Sequence, residues 1–272
     1  MARFPAEPPV ELLVISVMTK KPQIGVAQPS VMSLLLQMSF DGQSLSSGTG
    51  FVCESRVGPC LITNWHNLTG CNAETGQPFS ATGGIPNEVT ILHNVRGRLG
   101  RWAPVTEPLY EGATPLWVEH PTLGSRGDLV ALPLTKLDDV QLYAYDLEGP
   151  GHDIAVGPTS VVSVVGFPFG EAAGGSLAIW ATGFIASETD VDYNKLPLFF
   201  IDCRSRPGQS GSPVIAYREL GQTVALQDGA TVVYNQAVWR LLGIYSGRIN
   251  EQSDLGLVWK TSAIRDLVAS VS

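Results

Sequence analysis

A basic excess is missing from this chain: 17 Lys and Arg stand against 25 Asp and Glu, a formal net charge of −8. A nucleic-acid binder should carry the opposite imbalance, so none is expected as a partner. Charged residues of either sign are sparse at 15%, while apolar residues reach 44%, which excludes a disordered polyelectrolyte and leaves material for a real core. Long hydrophobic runs are also absent. The best, Leu12 to Met18 and Ser160 to Phe167, fall far short of the ~20 residues that span a bilayer, so no membrane partner is expected. Cysteine is scarce too, with four residues in 272, too few for a disulfide framework. No secretory pattern follows Arg3: Glu7 and Glu11 interrupt the start, and the apolar stretch is short. A cytoplasmic protein is the expectation. Helical periodicity is nearly absent, so alternating strand–helix architectures and coiled coils drop out.

Glycine and proline are plentiful, at 29 and 19 residues, and they punctuate short apolar strands from Val31 to Trp259. Strands at this density, divided by turn signals, indicate barrels or sandwiches. One helix is predicted at the C-terminus, Thr261 to Val268, with a hydroxyl cap before apolar positions 263, 264, 267 and 268. The stretch Asp146 to Pro158 holds three glycines and two prolines and divides the strands almost evenly. Two β domains are therefore expected, residues 1–150 and 151–272. Arg218 to Val238 is longer than a plain hairpin connection and is expected to gate a cleft or bind a partner.

The segment carrying most chemistry is Pro207-Gly208-Gln209-Ser210-Gly211-Ser212-Pro213. A serine between two glycines can occupy a tight turn, with its hydroxyl exposed and neighbouring N–H groups free to face a developing oxyanion. A hydroxyl is a weak nucleophile alone and needs a base, which itself needs an orienting group. The chain offers four histidines, His66, His93, His120 and His152, and all precede Ser210. That order excludes the α/β-hydrolases, in which histidine follows serine. His66 directly follows an apolar strand ending at Asn64, and Asp128 heads the apolar strand Leu129 to Leu134. A carboxylate there can fix the imidazole tautomer. His120 reads as a loop residue; His93 and His152 stand in no constellation and read as exposed. Cys53, Cys60, Cys71 and His66 lack metal-ligand spacing, so neither a metal nor another cofactor is expected.

These segments resemble the trypsin-like (chymotrypsin-fold) serine proteases, closest to the HtrA-type and glutamyl-endopeptidase branches. The resemblance runs through Thr49-Gly50-Phe51, Thr63 with His66, Asp128-Leu129-Val130-Ala131, Val165-Gly166-Phe167-Pro168, Gly208 to Pro213 and Leu242 to Gly247, in order. It implies an all-β fold of two packed antiparallel six-stranded β-barrels with a short C-terminal helix, the first barrel supplying His and Asp and the second supplying Ser. It implies Ser210 as nucleophile, His66 as general base and acid, Asp128 as orienting carboxylate, and an oxyanion hole from the N–H groups of Gly208 and Ser210. Substrate, a protein or peptide, would contact Arg204, Ser205 and Arg206 on one side and Ser246, Gly247 and Arg248 on the other. Those three arginines either select an acidic side chain or are solvated rim residues and partners of Asp202.

Two departures stand out. Gln209 replaces the aspartate that pairs with a new N-terminus in trypsin, so zymogen cleavage of that kind is not expected. Asn67 occupies the place of a half-cystine in secreted members. With so few residues after Ser210, the appended peptide-binding domain of HtrA-type enzymes is not expected. Restricted specificity and a regulatory protein partner are expected instead. The alternative reading is a protease-like scaffold that binds peptides without turnover.

Overall fold

The computed structural model describes residues 25–73, 75–79, 84–149, 151–250 and 252–272; the apolar run from Leu12 to Met18 lies outside them. After a helical turn, α1 (Pro29–Met32), come β1 (Ser33–Phe40), β2 (Gln43–Ser55), β3 (Gly58–Thr63) and α2 (Trp65–Thr69). β4 (Glu88–Val95), β5 (Trp102–Pro108), β6 (Tyr110–Glu111), β7 (Thr114–Pro115), β8 (Val118–Glu119), β9 (Val130–Pro133) and β10 (Val140–Gln141) complete the first half. The second half contains β11 (Val161–Gly166), β12 (Ile179–Ile185), β13 (Leu198–Asp202), β14 (Pro213–Arg218), β15 (Thr223–Ala225) and β16 (Thr231–Val233). β17 (Val238–Arg248), β18 (Leu255–Lys260) and the helix α3 (Thr261–Ser270) end the chain.

The second half is the expected six-stranded closed barrel, in the order β11-β12-β13-β18-β17-β14. The first half differs in detail: eight strands pair along β10-β4-β1-β2-β3-β9-β8, with β5 attached to β4, and the path does not close. β5 carries Pro104 and Pro108. Proline has no N–H to offer a further strand, which suits an edge and opposes closure.

β1 and β2 form a tight hairpin, with Phe40 opposite Gln43 and the two turn residues, Asp41 and Gly42, at φ 48° and 77°. Positive φ at both positions is the type I′ geometry that matches strand twist.

Each half has its own core, around Leu36, Leu61 and Ile91 in the first and around Val164, Ile201 and Val258 in the second. A third cluster joins them: Phe51 and Ile62 from the first half, Val165 and Ile244 from the second, and Ile264 and Leu267 from α3. The helix is thus the shared wedge. Its predicted hydroxyl cap is not used as one, because Thr261 is the first helical residue and its Oγ1 donates to the Leu241 carbonyl at 2.7 Å.

The Arg218–Val238 connection is not a loop over the cleft. It folds as the β15–β16 hairpin and ties to the segment before β11 through Ala155 N to Ala225 O and Gln227 N to Asp153 O, both 2.9 Å. Among the described residues no helix is long and apolar enough to cross a membrane.

Candidate active site

His66 sits in α2, one short helix that begins just after β3 and stops at Gly70, whose φ of 67° provides a left-handed C-cap. Asp128 precedes β9, which pairs with β3 from Cys60 to Thr63, so strand pairing itself brings the carboxylate beside the imidazole. Asp128 Oδ2 lies 2.7 Å from His66 Nδ1, and Oδ1 accepts the backbone N–H of His66 at 3.0 Å. The carboxylate is buried and also accepts a short hydrogen bond from Ser246 Oγ. With Nδ1–H donated to Asp128, Nε2 carries the free lone pair. Asn64 Nδ2 donates to the Asp128 carbonyl at 2.6 Å, holding the loop from the other side.

Ser210 lies between two residues that only glycine satisfies. Gly211 has φ 88°, and a Cβ there would stand 1.9 Å from the Thr49 carbonyl oxygen. Gly208 has φ 91°, and its Cβ would approach the Phe167 carbonyl oxygen to 2.5 Å. The Ser210 carbonyl is fixed by Thr49 N at 2.9 Å and by Asn67 Nδ2 at 3.0 Å. The Ser210 side chain and the imidazole of His66 line one cavity of about 390 Å³, without a hydrogen bond between them in this structure.

Pro207 O accepts from Phe169 N at 2.6 Å. In a trans peptide the following N–H points the opposite way, so the Gly208 N–H is turned away from Phe169. Thr49 Oγ1 donates to the Gly208 carbonyl at 2.9 Å and accepts from Phe167 N at 3.1 Å, clamping the loop from the first half. Gln209 is fully buried, and its Oε1 accepts the Arg206 N–H at 2.8 Å, closing the turn without a charge.

The other site residues separate into two groups. Ser246 is the extra residue of a β-bulge, since Tyr245 pairs with Val258 and Gly247 with Leu257. Bulges re-aim side chains, and this one turns the Ser246 hydroxyl onto Asp128. Ser205 is buried and shares a short hydrogen bond with Tyr245 Oη, whose phenol burial pushes up to about 12. Arg204 points to solvent, and Arg206 is 41% exposed with Asp254, not Asp202, as its ion partner at 3.8 Å. Arg248 is half-buried at the end of β17.

His152 is exposed as expected, but His93 is only 1% and His120 only 3% exposed. His93 lies inward on β4 with neither ring nitrogen partnered, and burial lowers its pKa to about 4. His120 Nδ1 accepts from the N–H groups of Thr122 and Leu123, both at 3.3 Å, and is a turn-former. Cys53 and Cys60 face each other across β2 and β3 as buried thiols, and among the described residues no cluster of His, Cys, Asp and Glu could hold a metal.

Sequence reasoning missed Phe79, whose ring meets the His66 imidazole edge-on at 5.7 Å between centroids. Nothing in its local pattern signals this. Asn67, which stands where secreted members have a half-cystine, bridges Thr63 Oγ1 and the Ser210 carbonyl with its side-chain amide.

Residues 48–226, which include His66, Asp128 and Ser210, match the family model described as "Trypsin-like peptidase domain". No curated protein matches the sequence. Among solved structures, a serine endoprotease from Yersinia pestis aligns over 90% of this chain and 68% of its own, at 12% identity and a TM-score of 0.48. The thermostable serine protease AL20 from an extremophilic microorganism aligns over 89% and 97%, at 12% identity and a TM-score of 0.49. The active form of the Rv3671c protease from M. tuberculosis aligns over 90% and 82%, at 15% identity and a TM-score of 0.45.

Proposed function

The chain belongs to the trypsin-like peptidase family as a serine endopeptidase, and on that premise we propose that Ser210, His66 and Asp128 are its catalytic triad. Ser210 Oγ attacks the scissile carbonyl while His66 Nε2 takes its proton. Asp128 holds the imidazole in the required tautomer and stabilises the imidazolium that forms. The tetrahedral oxyanion is received by the N–H groups of Gly208 and Ser210, in a loop that needs no reorganisation when charge develops. His66 then returns the proton to the leaving amine, and water repeats the sequence on the acyl-enzyme. The observation that carries this reading is the buried Asp128 carboxylate, which receives His66 Nδ1 at 2.7 Å, the His66 backbone N–H at 3.0 Å and the Ser246 hydroxyl. Such convergence of donors on one carboxylate is what a fixed imidazole requires.

The substrate's acyl part lies extended along Ser246 to Arg248, adding main-chain hydrogen bonds as a strand would. Its first side chain enters between that strand and Arg204 to Arg206. Arg204 and Arg206 stand at the rim of this entry, solvated, and the floor is formed by the Ser205–Tyr245 pair. Trypsin-style activation is not part of the mechanism: Gln209 completes its turn by an amide contact to Arg206 N, with no ion pair to be created by cleavage. Four free thiols fit a reducing compartment, which supports a cytoplasmic site of action. Control of the enzyme there falls to restricted specificity and to a regulatory protein partner.

A fluorophosphonate probe tests the triad. Folded wild type should form a covalent adduct that peptide mapping locates on Ser210, and Ser210→Ala should form none. Absence of labelling on the folded wild type overturns the assignment in favour of a binding scaffold.

A further inference from the structure

The cavity that holds His66 and Ser210 has an apolar wall that catalysis does not require. Leu45, Phe79, Pro86 and Pro207 line it, and no charged side chain is among its described lining residues. Phe79 and Leu45 are 61% and 38% exposed, large apolar side chains left facing water at the mouth of the site. Phe79 is nonetheless held in place: its N–H donates to the Gly70 carbonyl at 2.8 Å, the adjacent Pro78 bridges to Cys71, and its ring stands at 82° to the imidazole. Groups fixed in the open around a catalytic base are a binding surface waiting for its ligand.

Position decides which part of the substrate meets this wall. None of Arg204, Ser205, Arg206, Ser246, Gly247 or Arg248, the residues assigned to the acyl part, lines the cavity. The cavity is bounded instead by His66, the group that hands a proton to the departing amine, and by Gly208 at the edge of the oxyanion loop. A chain that passes the nucleophile with its carbonyl oxygen toward Gly208 and Ser210 therefore leaves the acyl strand and enters this cavity with its new amino terminus. A volume of about 390 Å³ is at the low end for ligand pockets (~300–1,000 Å³), enough for a residue or two.

We propose that this cavity is a leaving-group pocket that selects a large apolar residue immediately C-terminal to the scissile bond, with Phe79 as its specificity-determining wall. The inference rests on the triad reading. It adds a second recognition element, on the opposite side of the nucleophile from the arginine-bearing segment.

Acyl-enzyme partitioning tests it. p-Nitrophenyl acetate transfers its acetyl group to Ser210 Oγ and releases nitrophenolate. Added amino-acid amides then compete with water. The amine nitrogen forms a bond to the acetyl carbon, the carbon–oxygen bond to Ser210 breaks, and the amine's proton passes through His66 to the departing serine oxygen. Phenylalanine amide and leucine amide should capture the acetyl group about tenfold more efficiently than glycine amide or aspartate amide, the scale of a hydrophobic subsite. Phe79→Ala should reduce that ratio to about threefold or less, and Phe79→Leu should restore most of it. A purely structural role for Phe79 would change the overall rate and leave the ratio alone. Equal capture of leucine and glycine amides by wild type, or an unchanged ratio in Phe79→Ala, overturns the pocket while the triad stands. Failure of wild type to form any acetyl adduct on Ser210 overturns the triad and the pocket together.

Discussion

The side-chain amide of Asn67 donates to the carbonyl oxygen of Ser210 at 3.0 Å, across 143 residues of sequence. It also donates to Thr63 Oγ1 at 2.9 Å, so one buried amide links the end of β3 to the nucleophile loop. Asn67→Leu removes both bonds, while the Ser210 carbonyl keeps the Thr49 N–H and Thr63 Oγ1 keeps the Thr49 carbonyl, so the loss is that of two ordinary hydrogen bonds, about 1–3 kcal/mol. Urea unfolding should show that loss, and probe labelling of Ser210 should slow because its backbone is no longer fixed. Unchanged labelling would show that Thr49 alone sets the loop.

Gly208→Ala places a methyl 2.5 Å from the Phe167 carbonyl on a backbone held at φ 91°. The loop must move, and the Gly208 N–H leaves its aim. A fall in kcat of about 10²–10³ with little change in KM is expected, the loss typical of one oxyanion donor. Steady-state kinetics on a peptide substrate checks it.

Ser246→Ala removes one of the donors to Asp128 but not those from His66. Its effect should be milder than that of Asp128→Asn, which presents the wrong tautomer partner and costs about 10⁴ in kcat. About a tenfold loss for Ser246→Ala is the expected ordering. Equal losses in the two variants would mean that Ser246 fixes the carboxylate rather than merely solvating it.

His93 makes the fold sensitive to acid. Burial lowers its pKa to about 4, the nearby Glu107 opposing that shift only in part. In the unfolded chain it titrates near 6.5, so below that pH the unfolded state binds more protons. Stability should be full above about pH 6.5 and decline as pH falls toward 4, by up to about 3 kcal/mol. His93→Leu should flatten that decline, which urea midpoints at pH 7 and pH 4.5 would reveal.

The catalytic candidates were legible because glycine and chain order constrain so much: Gly208 and Gly211 announce a backbone that no other residue permits, and four histidines before one such loop leave few choices. Contacts across the cleft were not legible. His93 shares the inward phase of Val89 and Ile91 on β4, but the apolar Leu92 beside it blurs that alternation in the sequence. β2 extends back to Gln43, well ahead of its buried stretch from Gly48, through a segment whose one apolar residue, Leu45, is exposed, so only the Asp41-Gly42 turn marks the hairpin. Prolines in β5 likewise decide a sheet edge that strand counting alone does not see.

α3 contributes Ile264 and Leu267 to a packing layer shared by both halves, so the halves are joined through a common core. Tightly packed interiors resist hinging. On the proposed mechanism a substrate must therefore offer Ser210 an exposed, extended segment, because the two halves are not free to close around it.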